Sequence, residues 1–159
     1  FMTYLDTANR RGYTHRHITP ASLAILQDGT PIIAGWQNGD CASANANITV
    51  DRAQIIILLS ACMGVERTIA NARQVWDDDV LLSLSPFIQR AAVPMGTRAL
   101  PECTRQLISS VRSSLQALAA DDADTVQTVS ISRFSLKSFI TIALSVVAVA
   151  VVILAIIHL

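Results

Sequence analysis

Short apolar runs separated by polar turns make up the first three quarters of the chain, and each run has a length that suits one element. Met2 to Gly12 reads as a helix, with Gly12 as its C-terminal cap and Arg10 and Arg11 at the negative end of its dipole. Residues 13–22 have loop composition. The apolar runs Leu23–Leu26 and Pro31–Ile33 flank Gln27-Asp28-Gly29-Thr30, and Asp-Gly between apolar runs predicts a β-hairpin. Residues 35–48 read as a loop. Thr49 suits the N-cap of a helix with Asp51 in its first turn and Gly64 at its end. Ile55 to Leu59 leave that helix no polar face, which predicts a central, buried element. A helix is expected over 65–76. Asp77, Asp78 and Asp79 open another, and a further amphipathic helix is expected over 100–118 with Pro101 and Glu102 in its first turn. The composition then turns linker-like over 119–133.

The final stretch breaks this rhythm. Phe139 to Ile157 holds no charge, proline or glycine. As a helix rising ~1.5 Å per residue it would be ~28 Å long, close to the hydrocarbon thickness of a bilayer. A transmembrane helix is therefore expected within 134–159; the alternative is a buried core helix. Thr141 and Ser145, one turn apart, would mark a face toward another membrane helix. A signal peptide is excluded by position. Arg133 and Lys137 flank the span on one side only, so residues 1–137 are expected in the cytoplasm of a membrane-attached protein. Phe1 precedes Met2, and the chain stops almost as the span does. These features suggest a tail anchor or a fragment of a longer membrane protein.

Composition agrees with this division. The 159 residues include 12 Lys+Arg and 12 Asp+Glu, and 52% are hydrophobic. A net charge of zero argues against a nucleic-acid partner, which selects for a basic excess. All four charged residue types lie between Asp6 and Lys137, so the hydrophobic excess belongs to the tail. Cys41, Cys62 and Cys103 form no Cys-x-x-Cys pair, which suits reduced thiols in the cytosol.

The candidate chemistry sits in His15-Arg16-His17-Ile18-Thr19-Pro20-Ala21-Ser22. His15 and His17 alone could offer two metal ligands on one side of an extended segment, with Asp40 or Cys41 as a third; loop hydrogen bonding is the reading preferred, with no metal and no cofactor. The wider context resembles the C-terminal lobe of a protein kinase. Kinases carry His-Arg-Asp-x-x-x-x-Asn on the catalytic loop, then a hairpin, then Asp-Phe-Gly. His15 and Arg16 match the first two positions, but His17 stands at the catalytic Asp and Ser22 at the metal-holding Asn. Aligning Ile32 to Trp36 on Ile-Asp-Phe-Gly-Trp puts Ile33 at the second metal position. The resemblance thus implies a lobe without the groups that position and neutralise a transferring phosphoryl. It also offers Asp51 as the acid that braces the loop from the central helix; the alternative for Asp51 is a helix-dipole partner.

Beyond the loop, Asp51 to Gln54, Met63 to Arg67, Ala70 to Arg73, Leu84 to Arg90, Ala92 to Arg98 and the terminal span are similar to one family. These are actinobacterial membrane proteins with a kinase-like domain before a lysylphosphatidylglycerol synthase/flippase-type membrane region. The expected fold class is mainly α: a kinase-like C-lobe over 1–118, with one hairpin and four to five helices, then a single membrane helix. The resemblance implies that further membrane helices follow and that the protein is connected with lipids or the envelope. The expected function is a non-catalytic lobe that regulates the membrane part or binds a partner, beside the bilayer. A single-span adaptor without kinase ancestry is the alternative, and an active lipid or small-molecule kinase the less favoured one.

Overall fold

The computed structural model describes residues 1–41 and 44–121. The expected linker beyond Asp121, the flanking Arg133 and Lys137, and the apolar stretch 139–157 lie outside the described residues. Within them the fold is mainly helical, with six α-helices, several single 3-10 turns and one two-stranded sheet.

Helix α1 (Met2–Arg10) ends as its sequence suggests: Gly12 takes φ +83°, and the N–H groups of Arg11 and Gly12 close back on Ala8 and Asn9. Strands β1 (Leu23–Ile25) and β2 (Pro31–Ile33) pair antiparallel, with Leu23 opposite Ile33 and Ile25 opposite Pro31. Gly29, at φ +83°, makes the turn. Between them, the Asp28 carboxylate accepts the Thr30 N–H at 2.9 Å, an Asx turn.

Helix α2 (Asn45–Met63) is the axis of the lobe. It starts four residues before the expected Thr49 cap. Thr49 is inside the helix, where its Oγ1 donates to the Asn45 carbonyl at 2.9 Å instead of capping. Asp51 therefore lies in the second turn, beyond the reach of the N-terminal dipole. Gly64, at φ +90°, ends α2 and starts α3 (Val65–Ala72), which is shorter than the expected 65–76 because the chain turns off toward Trp76. Asp77 stands at the N-cap position of α4 (Asp78–Ser83), with Asp78 and Asp79 in its first turn, and a surface ion pair of 2.7 Å joins Asp78 to Arg73. Short turns at 85–87 and 90–92 and a one-turn helix α5 (Met95–Arg98) follow. Helix α6 (Arg105–Asp121) begins after Pro101 and Glu102, not with them, because Thr104 Oγ1 accepts the Leu107 N–H at 3.0 Å and sets the start there. It runs to Asp121, past the expected boundary at 118.

The absence of a polar face on α2 has the expected result. Helices α1, α3 and α6 and the turns at 85–92 all pack on it, and Ile55, Ile56, Ile57 and Leu58 are each 0% exposed. Among the described residues α2 is also the one helix long and apolar enough to cross a membrane by length and composition. Its packing is that of a core helix: it carries buried Asp51 and Gln54, both bonded to a neighbouring loop. A polar group can be spent inside only where it finds partners.

A second polar network lies in this core. The Asp6 carboxylate accepts Arg10 Nε at 2.6 Å, Arg52 Nη2 at 3.0 Å and the Trp76 indole N–H at 2.8 Å. The Arg52 guanidinium lies 5.4 Å from the Trp76 ring centre, so the same groups make a cation–π contact. Burial lowers the Arg52 pKa, and the adjacent Asp6 opposes that shift. Three segments, α1, α2 and the end of the α3–α4 connection, are joined at one carboxylate.

Truncating Ile56 to Ala should cost ~2–5 kcal/mol, lost burial plus a cavity. His17, exposed on the loop, should tolerate Ala with under ~0.5 kcal/mol. Urea unfolding of the two variants checks this; a His17→Ala loss as large as that of Ile56→Ala would make His17 a structural residue.

Candidate functional site

The loop after α1 is short of backbone partners, and α2 supplies them. The His15 N–H donates to Asp51 Oδ2 at 2.5 Å and the Arg16 N–H to Asp51 Oδ1 at 2.7 Å. One turn later on α2, Gln54 Oε1 accepts the Ile18 N–H at 2.9 Å, and its amide donates to the Ala92 carbonyl at 3.1 Å. The Ile18 carbonyl in turn accepts Thr97 Oγ1 at 3.4 Å. Residues 15–18 are thus tied through side chains to α2 and, beyond it, to the 92–97 segment. Directly after these two bonded N–H groups the chain turns. Arg16 has φ +66°, the single non-glycine positive φ among the described residues. Holding a branched-free but Cβ-bearing residue there costs of order 1 kcal/mol, which two charge-assisted hydrogen bonds offset.

His15 is buried and joins the loop to the segment after β2. Its Nε2 lies 2.8 Å from the Ala34 carbonyl, and its Nδ1 is 3.4 Å from the His17 N–H. A carbonyl can only accept and an N–H can only donate, so the hydrogen belongs on Nε2. The ring meets Trp36 edge-on, with centres 5.1 Å apart. Trp36 is oriented by its own indole N–H, 2.6 Å from the Ile33 carbonyl. Across the loop, Thr14 and Asp40 exchange backbone hydrogen bonds of 2.9 and 3.0 Å. Gly39 permits that approach: a Cβ there would lie 2.6 Å from the Thr14 carbonyl oxygen.

The expected site residues fall into two groups. His15, Arg16 and Asp51 come together, and Asp51 is the loop's brace rather than a helix-dipole partner. His17, Ser22 and Ile33 do not form a metal-holding set. His17 is exposed. Ser22 Oγ accepts the Thr19 N–H at 2.9 Å and donates to the Thr19 carbonyl at 2.7 Å, closing the turn at Pro20–Ser22. Ile33 is 1% exposed and belongs to the apolar core. A hydroxyl already engaged twice and a buried hydrocarbon do not fit Mg²⁺, which demands oxygen ligands in octahedral array. Among the described residues no cluster of three or more His, Cys, Asp or Glu is arranged to hold a metal ion. Beside the loop, Tyr4, Thr7, Ala8, Arg11, Tyr13 and Trp36 line an open hollow of about 440 Å³. Tyr4 and Tyr13 are 40% and 50% exposed there, and Tyr4 lies 6.4 Å from Trp36, ring centre to ring centre.

Gln54 and Trp36 matter to this site beyond what spacing alone assigns to them. The available signal was Gln54 itself, a polar residue three positions from Asp51 on a helix without a polar face. No protein-family model, no curated protein and no solved structure matches this chain.

Burial raises the Asp51 carboxyl above its ordinary value, opposed by the hydrogen bonds from the His15 and Arg16 N–H groups. The folded form therefore holds the proton more tightly than the unfolded chain does. This contribution to stability is fully present below the unfolded carboxylate pKa and is lost as pH rises through the folded one. Asp51→Asn should abolish that slope, and should cost ~1–3 kcal/mol because the amide turns a donor toward one N–H. Denaturant titrations of both proteins across the acidic range, compared as a difference curve, should show the wild type losing its advantage as pH rises; parallel curves would exclude this role.

Proposed function

We propose that residues 1–121 form a non-catalytic, kinase-like lobe that works by binding, attached to the membrane part of an envelope or lipid-related protein. The observation that carries the reading is the Asp51 carboxylate bonded to consecutive N–H groups of His15 and Arg16. The kinase resemblance assigns an acid of the central helix to that task, bracing the catalytic loop. The brace is kept where the chemistry-bearing positions are not: Ile33 is core, Ser22 closes a turn, and His17 has no metal-bound nucleotide to act on. Phosphoryl transfer depends on positioning and charge neutralisation, and these residues supply neither. What the loop region does offer is contact surface. The aromatic hollow of Tyr4, Tyr13 and Trp36, with Arg11 at its edge, has the composition of a recognition face.

The catalytic half of this reading is tested with the full chain and Mg·ATP. No change in melting temperature is expected with Mg·ATP over ATP alone. A stabilisation that EDTA removes would revive the active-kinase alternative.

The membrane half is tested by thiol accessibility. Cys41 and Cys62 are exposed and serve as probes; buried Cys103, whose thiol pKa is raised by burial, is a silent one. A cytoplasmic lobe requires that an impermeant maleimide leave Cys41 and Cys62 unlabelled in intact cells and label both after permeabilisation. Labelling before permeabilisation would reverse the orientation.

A further inference from the structure

The segment from Leu84 to Ala119 is more basic than the chain as a whole. Between Leu84 and Ala119 the charged residues are Arg90, Arg98, Arg105 and Arg112 against Glu102 alone. Arg112 is committed to the Ile88 carbonyl. Arg90 and Arg98 are not committed: both are exposed, and neither has a carboxylate partner among the described residues. They converge on one surface hollow of about 280 Å³, which they line with Met95 and Ala99. Met95 is 74% exposed, the most exposed large apolar side chain among the described residues. Burial raises the thiol pKa of Cys103, and both guanidiniums oppose that shift.

The hollow is held in a fixed place. Helix α5 packs on the turn at Pro20–Ser22, where a Cβ on Gly96 would already lie 3.3 Å from Thr19 Cγ2. Thr97 is tied to the Ile18 carbonyl of the braced loop. Two unpaired arginines around an exposed methionine form a cationic surface with an apolar centre. A bilayer interface presents the complementary pattern, anionic headgroups over hydrocarbon. A soluble phosphate would satisfy the arginines and leave Met95 in water.

We propose that Arg90, Arg98 and Met95 form a docking surface for anionic phospholipid headgroups, which lays this face of the lobe on the membrane. The proposal rests on the reading that residues 139–157 span that membrane. The geometry allows it. Helix α6 carries the chain ~26 Å from Arg105. The covalent path from Asp121 to Phe139, at ~3.4 Å per residue, reaches up to about 60 Å, enough to return the face to the bilayer.

The full chain is reconstituted in phosphatidylcholine vesicles, with or without phosphatidylglycerol, and backbone hydrogen exchange is followed over residues 90–100. Exchange should slow in the phosphatidylglycerol vesicles at low salt and recover at high salt. Each arginine near an anionic surface is worth about a factor of five, so Arg90→Gln with Arg98→Gln should reduce the protection roughly 25-fold. Both side chains are exposed, so the double variant should melt with the wild type, which separates lost docking from lost folding. Equal exchange in the two vesicle types would overturn the proposal, as would a double variant that keeps the protection. Inorganic phosphate that reproduces the effect in phosphatidylcholine vesicles would assign the surface to a soluble anion instead. Protection that appears only with an added protein would assign it to a protein partner. Alkaline extraction of the same vesicles reads the span separately. Should the chain be extracted, the span reading fails, while flotation that needs phosphatidylglycerol, Arg90 and Arg98 still supports the surface.

Discussion

One buried carboxylate sets the arrangement of this lobe. Asp51 is 0% exposed, and both its oxygens are used by the N–H groups of His15 and Arg16. A carboxylate in that position is costly unless it is bonded, and a loop without a ladder has N–H groups to offer. Each side therefore requires the other. The positive φ of Arg16 accompanies this anchoring and turns the chain directly after the two bonded amides. The His15 ring reaches the Ala34 carbonyl and ties in the segment after the hairpin. Gln54 repeats the device one turn later and extends it to Ala92. The loop is thereby joined to the central helix.

The same logic explains why a helix so apolar is not featureless. Helix α2 must be covered on every side, and apolar packing alone specifies direction weakly. Polar groups at Asp51, Arg52 and Gln54 each demand a particular neighbour: the loop, Asp6 with Trp76, and the Ile18 and Ala92 backbone. Hydrophobic burial supplies the driving force, and these bonds select which surfaces meet. A fold organised in this way does not depend on metal-holding groups at Ile33 or Ser22. Ile33 adds to the core and Ser22 closes a turn, so neither position is a defect in the fold.

Much of the fold was legible along the chain, where the cause is local. Gly12, Gly29 and Gly64 mark chain reversals because only glycine adopts those backbone angles without cost. The Asp-Gly hairpin, the acid-led start of α4 and the buried run Ile55–Leu58 are readable for the same reason. The misread boundaries are those where several residues could cap. Thr49 has the right chemistry for an N-cap, yet its hydroxyl turns back to Asn45 because α2 gains from four further residues. Thr104, not Pro101, begins α6.

By itself, the sequence determined the order of the elements, the central place of α2, the division between a charged segment and an uncharged tail, and the presence of His15, Arg16 and Asp51 as candidates. Periodicity, backbone preference and charge are properties of neighbouring residues, so they can be read in order. Only the tertiary structure decided what those candidates do. Asp51 lies 36 residues from His15, and Trp76 lies 70 from Asp6. A helix-dipole partner and a loop brace are the same aspartate in sequence. They differ in which N–H groups stand within 3 Å, and that depends on how α2 is packed against the rest of the chain.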